Sequence, residues 1–186
     1  MKVYNNPEVT KVFTSSWTGD RSEDGRPKAG DRLLQRLRDI SLEEAWTPMF
    51  KKGYKNQAET RFQKSNPGVR LIGRAVTCSM VPSRPDVHLG MLDYGWKEGY
   101  VGYFNQWVVD EMQENDVLVA DCFDKIAFGT FLGGNLSTSI KARSKPGGGA
   151  VIWGGIRDLE QLQRIDNFQV YYRGIDPSYI DNEMLA

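Results

Sequence analysis

The sequence is poor in cysteine and histidine and has no excess of either charge. Its 186 residues include two cysteines, Cys78 and Cys122, and a single histidine, His88. Two cysteines do not make a disulfide framework, and because each stands in an apolar run we expect two buried thiols. With 24 basic and 24 acidic residues, the chain gives no electrostatic reason to expect nucleic acid or a membrane as a partner.

Long hydrophobic runs are also missing. No apolar stretch approaches the roughly 18 residues that a membrane-spanning helix needs. Residues 1–10 contain polar and charged side chains where a signal peptide would be apolar. We therefore predict a cytoplasmic protein whose length suits one globular domain with a sizeable core.

Strands and helices are predicted to alternate after the first thirty residues. Residues 15–30 are polar and contain Gly and Pro, so we divide the chain into an N-terminal arm, 1–30, and an α/β domain, 31–186. One helix is predicted from Asp31, and another from Ser41, where Ser-Leu-Glu-Glu is a capping-box sequence. The other predicted elements are strands at 69–79, 116–121, 126–131, 150–153 and 168–172, and helices in the second half of 90–112, at 135–145 and at 159–165. This alternation indicates an α/β fold.

Two segments share a pattern of a strand, paired glycines and a helix start. The first contains Gly133 and Gly134, and the second contains Gly154 and Gly155, which we predict to form a turn. Glycine lets a ligand approach the main chain closely, and a helix start presents unpaired N–H groups that favour anions. Two such places side by side would suit a small carboxylate or an enolate oxygen.

Arg157 and Asp158 follow the second glycine pair. The Arg157 guanidinium is a planar fork suited to a carboxylate or a keto-acid oxygen. Asp158 is a hard oxygen ligand, and one carboxylate with waters and substrate is a usual way to bind magnesium. Purely structural alternatives remain open, since Asp158 and Gln161 also match a capping box and Asn135 is a good N-cap residue. Arg157 could equally form a surface ion pair.

Five short segments occur in a characteristic order, namely 71–77 (LIGRAVT), 115–121 (NDVLVAD), 134–136 (GNL), 155–158 (GIRD) and 170–174 (VYYRG). In this order they resemble the RraA-like family. That family includes the regulator of ribonuclease activity A and the aldolases of 4-hydroxy-4-methyl-2-oxoglutarate and 4-carboxy-4-hydroxy-2-oxoadipate. The resemblance covers about residues 31–177, and it implies a swivelling β/β/α fold assembled as a homotrimer or homohexamer with sites at subunit interfaces.

The resemblance also implies a site and a reaction. Arg157 would be the catalytic residue that binds the pyruvyl part of the substrate, and Asp158 would hold Mg²⁺ or Mn²⁺. The main chain that contacts the same ligand would be that of Gly133, Gly134, Asn135 and Leu136. The implied activity is that of a divalent-metal-dependent lyase acting on a small hydroxylated 2-keto acid through a metal-stabilised enolate. The reaction would be retro-aldol cleavage to pyruvate, oxaloacetate decarboxylation or both.

The chain departs from the family in ways that keep alternatives open. Aldolase members have an acidic residue where this chain has Asn135, and an amide cannot serve as the base that a carboxylate provides. The family usually continues into further β-structure beyond the region that matches 173–174, so we expect that portion to be missing here. The alternatives are a non-catalytic regulator that binds a protein partner and a metal-dependent hydratase or dehydratase of sugar acids.

Three weaker candidates lie upstream. Arg84 follows a strand that leads toward the site and would meet a distal carboxylate of the substrate. His88 has no evident partner for acid–base chemistry. The aromatic residues within 95–104 predict a packed helix face, with a pocket wall as the alternative.

Overall fold

The computed structural model describes residues 6–180 and 183–185. Its helices are α1 (Pro7–Phe13), α2 (Asp31–Leu37), α3 (Leu42–Lys51), α4 (Pro85–Lys97), α5 (Phe104–Asp110), α6 (Gly134–Ser144) and α7 (Leu159–Gln163). Its strands are β1 (Gln63–Lys64), β2 (Arg74–Pro82), β3 (Asp116–Leu132), β4 (Gly149–Ile156), β5 (Gln169–Tyr172), β6 (Gly174–Ile175) and β7 (Glu183–Leu185). Within these described residues, no helix has both the length and the apolar character needed to cross a bilayer.

One mixed sheet, seven-stranded in the described part of the chain, forms the centre of the fold. Its order is β1-β5-β4-β3-β2-β7, with β6 paired to β4. The four strands from β2 to β5 run parallel, and β1 and β7 add antiparallel edges. Trp107 of α5 and Ile140 of α6 are fully buried in the same cluster as Phe131 and Ile152 of the sheet. Because β3 and β4 are parallel neighbours, their carboxyl ends and the helices that follow them meet at one edge.

Strand β3 joins two segments that we predicted as separate strands. Its pairing with β4 shifts register between Asp121 and Lys125 and again between Lys125 and Thr130. The backbone is left-handed at Phe123 and Phe128, with φ of 53° and 59°. These irregularities account for the break that the sequence pattern indicates, although the strand continues through it.

The predicted turn at Gly154 and Gly155 is wrong, because both residues lie inside β4. A Cβ atom at Gly154 would stand 2.7 Å from the Cβ of Cys122, and one at Gly155 would stand 2.7 Å from the carbonyl oxygen of Ile126. The glycines are therefore required by the close approach of the irregular part of β3 and not by a chain reversal.

The helices begin largely where local signals place them. The predicted helix from Asp31 is α2, and the predicted capping box is formed at α3. There the Glu44 amide donates to Ser41 Oγ at 3.1 Å and the Ser41 amide donates to the Glu44 carboxylate at 2.6 Å. Helices α1 and α4 were not predicted. Each begins with a proline, which fits the first turn of a helix, so that signal was available.

The two thiols differ in burial. Cys122 is fully buried, whereas Cys78 is only half-buried, so the prediction of two buried thiols is wrong for Cys78. Desolvation, together with the nearby charge of Asp121, raises the pKa of Cys78 to about 12. Both cysteines are unbonded to each other and remain protonated near neutral pH, which makes them poor nucleophiles.

A buried carboxylate attaches the N-terminal segment to the sheet. Asp116, at the start of β3, is fully buried and pairs with Arg26 at 3.1 Å and with Arg74 at 3.5 Å. It also accepts the main-chain N–H of Gln113 at 2.8 Å. The side chains of Arg26 and Arg74 are themselves only 15% and 16% exposed, so water replaces a lost partner poorly.

We expect Asp116→Asn to lower the free energy of unfolding by about 3 kcal/mol, because the largely buried Arg74 loses its carboxylate and Arg26 keeps only that of Asp24. Urea denaturation of the two proteins measures this difference. The matched control is Asp93→Asn, since Asp93 pairs with Lys97 at 2.6 Å between mostly exposed side chains. We expect that change to be below about 0.5 kcal/mol. Equal losses in the two variants would refute the structural role of Asp116.

Candidate active site

A cavity of about 570 Å³ opens at the edge of the sheet where β3 and β4 end. It lies between the starts of α5, α6 and α7. Of the residues predicted to form the site, Gly133, Asn135, Leu136, Arg157 and Asp158 all line it. Gly134 lies in the same loop and contacts Asp158 through its amide. The structure thus brings together residues that are more than twenty positions apart in the sequence.

The loop after β3 is shaped by two glycines. Gly133 is the N-cap residue of α6 and offers no side-chain acceptor to the helix. A Cβ atom there would collide with the Asp158 carboxylate and stand 2.7 Å from Arg157 Nε. Asn135 is therefore inside the first turn of the helix and is not its N-cap. The amides of Asn135 and Leu136 belong to the first turn, where the helix itself supplies no acceptor.

The amide of Gly134 differs from our prediction. We expected it to contact the substrate, but it donates to Asp158 Oδ2 at 3.0 Å. The bond spans from the start of α6 to the residue before α7, so it orients the carboxylate toward the loop. Gly134 consequently positions Asp158, and the amides of Asn135 and Leu136 remain the candidate ligand-binding groups of this loop.

Asp158 has an unusual backbone conformation. It is the N-cap residue of α7 in left-handed geometry, with φ of 57° and ψ of 39°. Its main-chain oxygen accepts the N–H groups of Gln161 and Leu162 at 2.9 and 3.1 Å. Its side chain makes no capping hydrogen bond, so the capping-box alternative with Gln161 is wrong. The carboxylate is 37% exposed and faces the α6 loop instead.

Arg157 is held on two sides. Its amide donates to the carbonyl of Leu132 at 3.0 Å, which fixes the main chain at the end of β4. Its guanidinium lies 4.5 Å from the ring centre of Tyr179, and its Nη1 donates to the carbonyl of Ser178 at 3.5 Å. The ion pair that it makes, at 3.6 Å, is with Asp158 itself. The cation thus stands beside the carboxylate at the cavity.

Most of the opposite wall was not predicted from the sequence. Tyr103, Asn105 and Gln106, from the start of α5, line the cavity, as does Tyr179. Asn105 Nδ2 donates to the carbonyl of Phe131 at 2.8 Å, which attaches this wall to the end of β3. Tyr103 belongs to the aromatic stretch for which we favoured a packed helix face, and it is 48% exposed at the cavity instead. A pocket wall was the alternative that the aromatic pattern left open.

The two weaker polar candidates lie elsewhere. Arg84 is exposed and pairs with Asp86, its Nε being 3.2 Å from Oδ1. His88 Nδ1 is 2.6 Å from Ser83 Oγ, and its ring packs edge-on against Phe104. Neither residue lines the cavity. Neither is therefore placed to meet a ligand bound between Arg157 and Asp158.

The cavity offers few protein ligands to a divalent ion. The described residues contain no cluster of three or more His, Cys, Asp or Glu side chains that could hold one. Asp158 is the single carboxylate among the described residues that line the cavity. Magnesium commonly takes one or two carboxylates and keeps waters and substrate oxygens as its other ligands. A partly exposed carboxylate in an open cavity fits such an ion, whereas a zinc-type cage is not formed by these residues.

Comparisons with solved structures show the fold. Streptomyces coelicolor RraAS2, described as an unusual member of the RNase ES inhibitor RraA protein family, has a TM-score of 0.66 and 22% identity, over 86% of this chain and 72% of its own. A protein from Pseudomonas syringae pv. tomato has a TM-score of 0.64 and 17% identity, over 86% of this chain and 66% of its own. The chain thus spans about two thirds to three quarters of these relatives. No curated protein matches the chain closely enough to serve as a relative.

These likenesses confirm the predicted α/β class and RraA-like type of fold. At such low identities they carry nothing about activity. The family assignment comes from the sequence, because the family model described as Aldolase/RraA matches residues 35–184. This range includes both the Gly133 loop and the Arg157–Asp158 pair, and it covers most of the chain. The protein is therefore a member of the RraA-like family, which includes both aldolases and ribonuclease inhibitors.

Proposed function

We propose that this chain is a divalent-metal-dependent lyase that acts on a small hydroxylated 2-keto acid. One observation carries the proposal: Arg157, Asp158 and the start of α6 share a single cavity, and the Gly134 amide binds the Asp158 carboxylate within it. A cation, a carboxylate and unpaired main-chain N–H groups are the parts that enolate chemistry requires. Family membership supports the same class of reaction.

Each group has a distinct part in the proposed reaction. The Arg157 guanidinium binds the carboxylate and carbonyl of the keto acid, and its positive charge offsets negative charge that develops on the carbonyl oxygen. The amides of Asn135 and Leu136 complete the anion pocket. Asp158 would hold Mg²⁺ or Mn²⁺, and such an ion supplies Lewis-acid polarisation of a carbonyl group when bound.

The bond changes in retro-aldol cleavage define what the site must supply. The C3–C4 bond breaks and its electrons move toward the C2 carbonyl, while the C4 hydroxyl loses its proton and becomes an aldehyde or ketone. A proton then adds to C3 and gives pyruvate. In oxaloacetate decarboxylation the same electrons move, but the leaving group is CO₂ and no hydroxyl proton is removed.

A pyruvate-formation assay tests the proposal directly. Protein supplied with Mg²⁺ should release pyruvate from at least one member of a panel of hydroxylated 2-keto acids or from oxaloacetate. A chelator should stop the release, and added Mg²⁺ should restore it. Pyruvate release that the chelator does not reduce, or no release from any member of the panel, would reject the proposed lyase.

A substitution at Asn135 should affect retro-aldol cleavage and oxaloacetate decarboxylation differently. Its side chain is exposed at the cavity, and an amide cannot take the hydroxyl proton as a carboxylate can. We expect Asn135→Asp to raise the retro-aldol rate about 10²-fold, the usual size of a general-base contribution. Oxaloacetate decarboxylation should be nearly unchanged, because it removes no hydroxyl proton. Equal changes in both reactions, measured as pyruvate release, would show that residue 135 does not act as a base.

The same residue favours one alternative function. Within the described residues, the cavity has no carboxylate besides Asp158. A regulator that binds a protein partner has no need of a base, and RraAS2 is described as belonging to a family of ribonuclease inhibitors. If no keto acid is cleaved, a non-catalytic regulator is the function to test next.

We also infer that the protein assembles as a homotrimer or homohexamer. Exposed apolar side chains along one helix support this, since Leu42, Trp46, Met49 and Phe50 of α3 are 37–61% exposed. Surfaces of this kind are more typical of interfaces than of isolated chains. Light scattering measures the state directly.

A further inference from the structure

We propose that Tyr179 is a positioning residue whose ring holds the Arg157 guanidinium ready for the carboxylate of a 2-keto acid. This role deepens the proposed function and rests on it, because Arg157 is the group proposed to bind that carboxylate. Tyr179 lines the cavity, although the sequence did not indicate it as a site residue. Both residues belong to one chain, so their contact needs no partner subunit.

The polar contacts of the Arg157 side chain are long. Its Nη1 is 3.5 Å from the carbonyl oxygen of Ser178, and its Nε is 3.6 Å from Asp158 Oδ2. Hydrogen bonds from nitrogen to oxygen usually measure about 2.7–3.2 Å, so neither contact restrains the guanidinium strongly. The Tyr179 ring centre is 4.5 Å from Arg157 Cζ, well inside the range of about 6 Å for cation–π attraction. Among the contacts of the described residues, the ring is therefore the best-formed restraint on this cation.

An aromatic ring suits this task better than an acidic side chain. A guanidinium has five N–H donors at the edge of its plane, and a bound carboxylate uses two of them. The Tyr179 ring attracts the charge of the cation and offers it no strong hydrogen-bond acceptor, so the donors remain available. A second carboxylate in this place would compete with the substrate for the same donors. Tyr179 can thus restrain Arg157 without blocking it.

The main chain on both sides of Tyr179 is fixed. The Phe128 amide donates to Ser178 Oγ at 2.6 Å, and the Thr130 hydroxyl donates to the Ser178 carbonyl. Ile180 is buried in the hydrophobic core. Tyr179 itself is 66% exposed, so burial of its ring contributes little to the stability of the fold. The ring can therefore restrain Arg157 and still be replaced without unfolding the protein.

This restraint should strengthen ligand binding. An arginine side chain has many rotamers, and it loses that freedom when it binds a carboxylate. Where the Tyr179 ring has already restrained Arg157, the loss on binding is smaller and the affinity is higher. The usual strength of an exposed cation–π contact corresponds to about fourfold in affinity.

Side-chain NMR tests the restraint without a ligand. The Arg157 Nε–H group gives a resonance that the Arg157→Lys variant lacks, which identifies it. In Tyr179→Leu, which keeps an apolar side chain without a ring, the order parameter of this group should fall. In Tyr179→Phe, which keeps the ring, it should stay at the wild-type value. The matched control is Tyr94→Leu, since Tyr94 is 44% exposed and does not line the cavity.

Calorimetric titration with pyruvate in the presence of Mg²⁺ tests the consequence for binding. Pyruvate has the carboxylate and the carbonyl of the proposed substrate and is not itself cleaved. Tyr179→Leu should weaken pyruvate binding about fourfold, and Tyr179→Phe should stay within about twofold of the wild type. Tyr94→Leu should bind pyruvate as the wild type does. A thermal melt verifies that each variant is folded.

The two measurements separate the role of Tyr179 from the proposed lyase activity. An unchanged order parameter or an unchanged pyruvate affinity in Tyr179→Leu overturns the positioning role, and so does an equal loss in Tyr179→Phe. Failure of the wild type to bind pyruvate overturns it as well. The expected changes in a protein that releases no pyruvate from any hydroxylated keto acid support the positioning role and reject the lyase.

Discussion

Loss of the Asp158 carboxylate should abolish magnesium-dependent pyruvate release, with kcat/KM falling by at least about 10³-fold. Asp158 is the single carboxylate on the described cavity wall, so no neighbouring group replaces it as an ion ligand. Asp158→Ala removes the ligand entirely. Asp158→Asn keeps an oxygen that can accept the Gly134 amide, while removing the negative charge. The pyruvate assay at saturating Mg²⁺ measures both variants.

Two controls make the Asp158 result specific. Asparagine, like aspartate, adopts left-handed backbone more readily than most residues, so Asp158→Asn should fold normally, which circular dichroism and a thermal melt can verify. Glu160→Ala removes an acid two residues away that is exposed and does not line the cavity. We expect Glu160→Ala to retain full activity. Undiminished cleavage by a folded Asp158→Asn or Asp158→Ala protein would refute the assignment of the metal ligand.

Gly133→Ala should lower kcat/KM about 10²-fold through a displacement of the groups that bind substrate. The added methyl would occupy the space of the Asp158 carboxylate and stand 2.7 Å from Arg157 Nε, so both side chains must move. The backbone at Gly133 is extended, with φ of −134° and ψ of −163°, which alanine adopts without strain. The effect is therefore expected in activity and Mg²⁺ affinity and only weakly in stability.

Gly90→Ala is the matched control for that substitution. Gly90 lies in α4, and a Cβ atom there meets nothing within 4 Å. Alanine in a helix interior is more favourable than glycine, so this variant should be as stable as the wild type or slightly more so. An active Gly133→Ala protein would show that the loop and the Arg157–Asp158 pair do not depend on close contact.

The parts of the candidate site that depend on neighbouring residues in the sequence could be predicted. Arg157 and Asp158 lie directly after a strand, and Gly133 lies directly after the neighbouring one, so parallel pairing alone brings them to one edge of the sheet. The ordered segments resembling the RraA-like family indicated the same residues. The α/β class followed from alternating patterns for the same reason, since hydrophobic periodicity is a property of neighbouring residues.

The rest of the site depends on contacts between distant residues. The Gly134–Asp158 hydrogen bond joins positions 24 apart, and it replaces the capping role that the local sequence gives Asp158. The wall from α5 reaches the cavity because Asn105 binds the carbonyl of Phe131, a contact that no local pattern encodes. Gly154 was misjudged likewise, since its need for a small side chain comes from the path of β3.

The left-handed backbone at Asp158 lowers the stability of the fold, whereas its side chain is the proposed metal ligand. At φ of 57°, a residue with a Cβ atom is disfavoured by about 1 kcal/mol relative to glycine. Glycine would relax this turn, yet it would leave nothing to coordinate an ion. Any effort to make this domain more heat-resistant should therefore leave residue 158 alone, because the gain there would remove the carboxylate that we propose as the metal ligand.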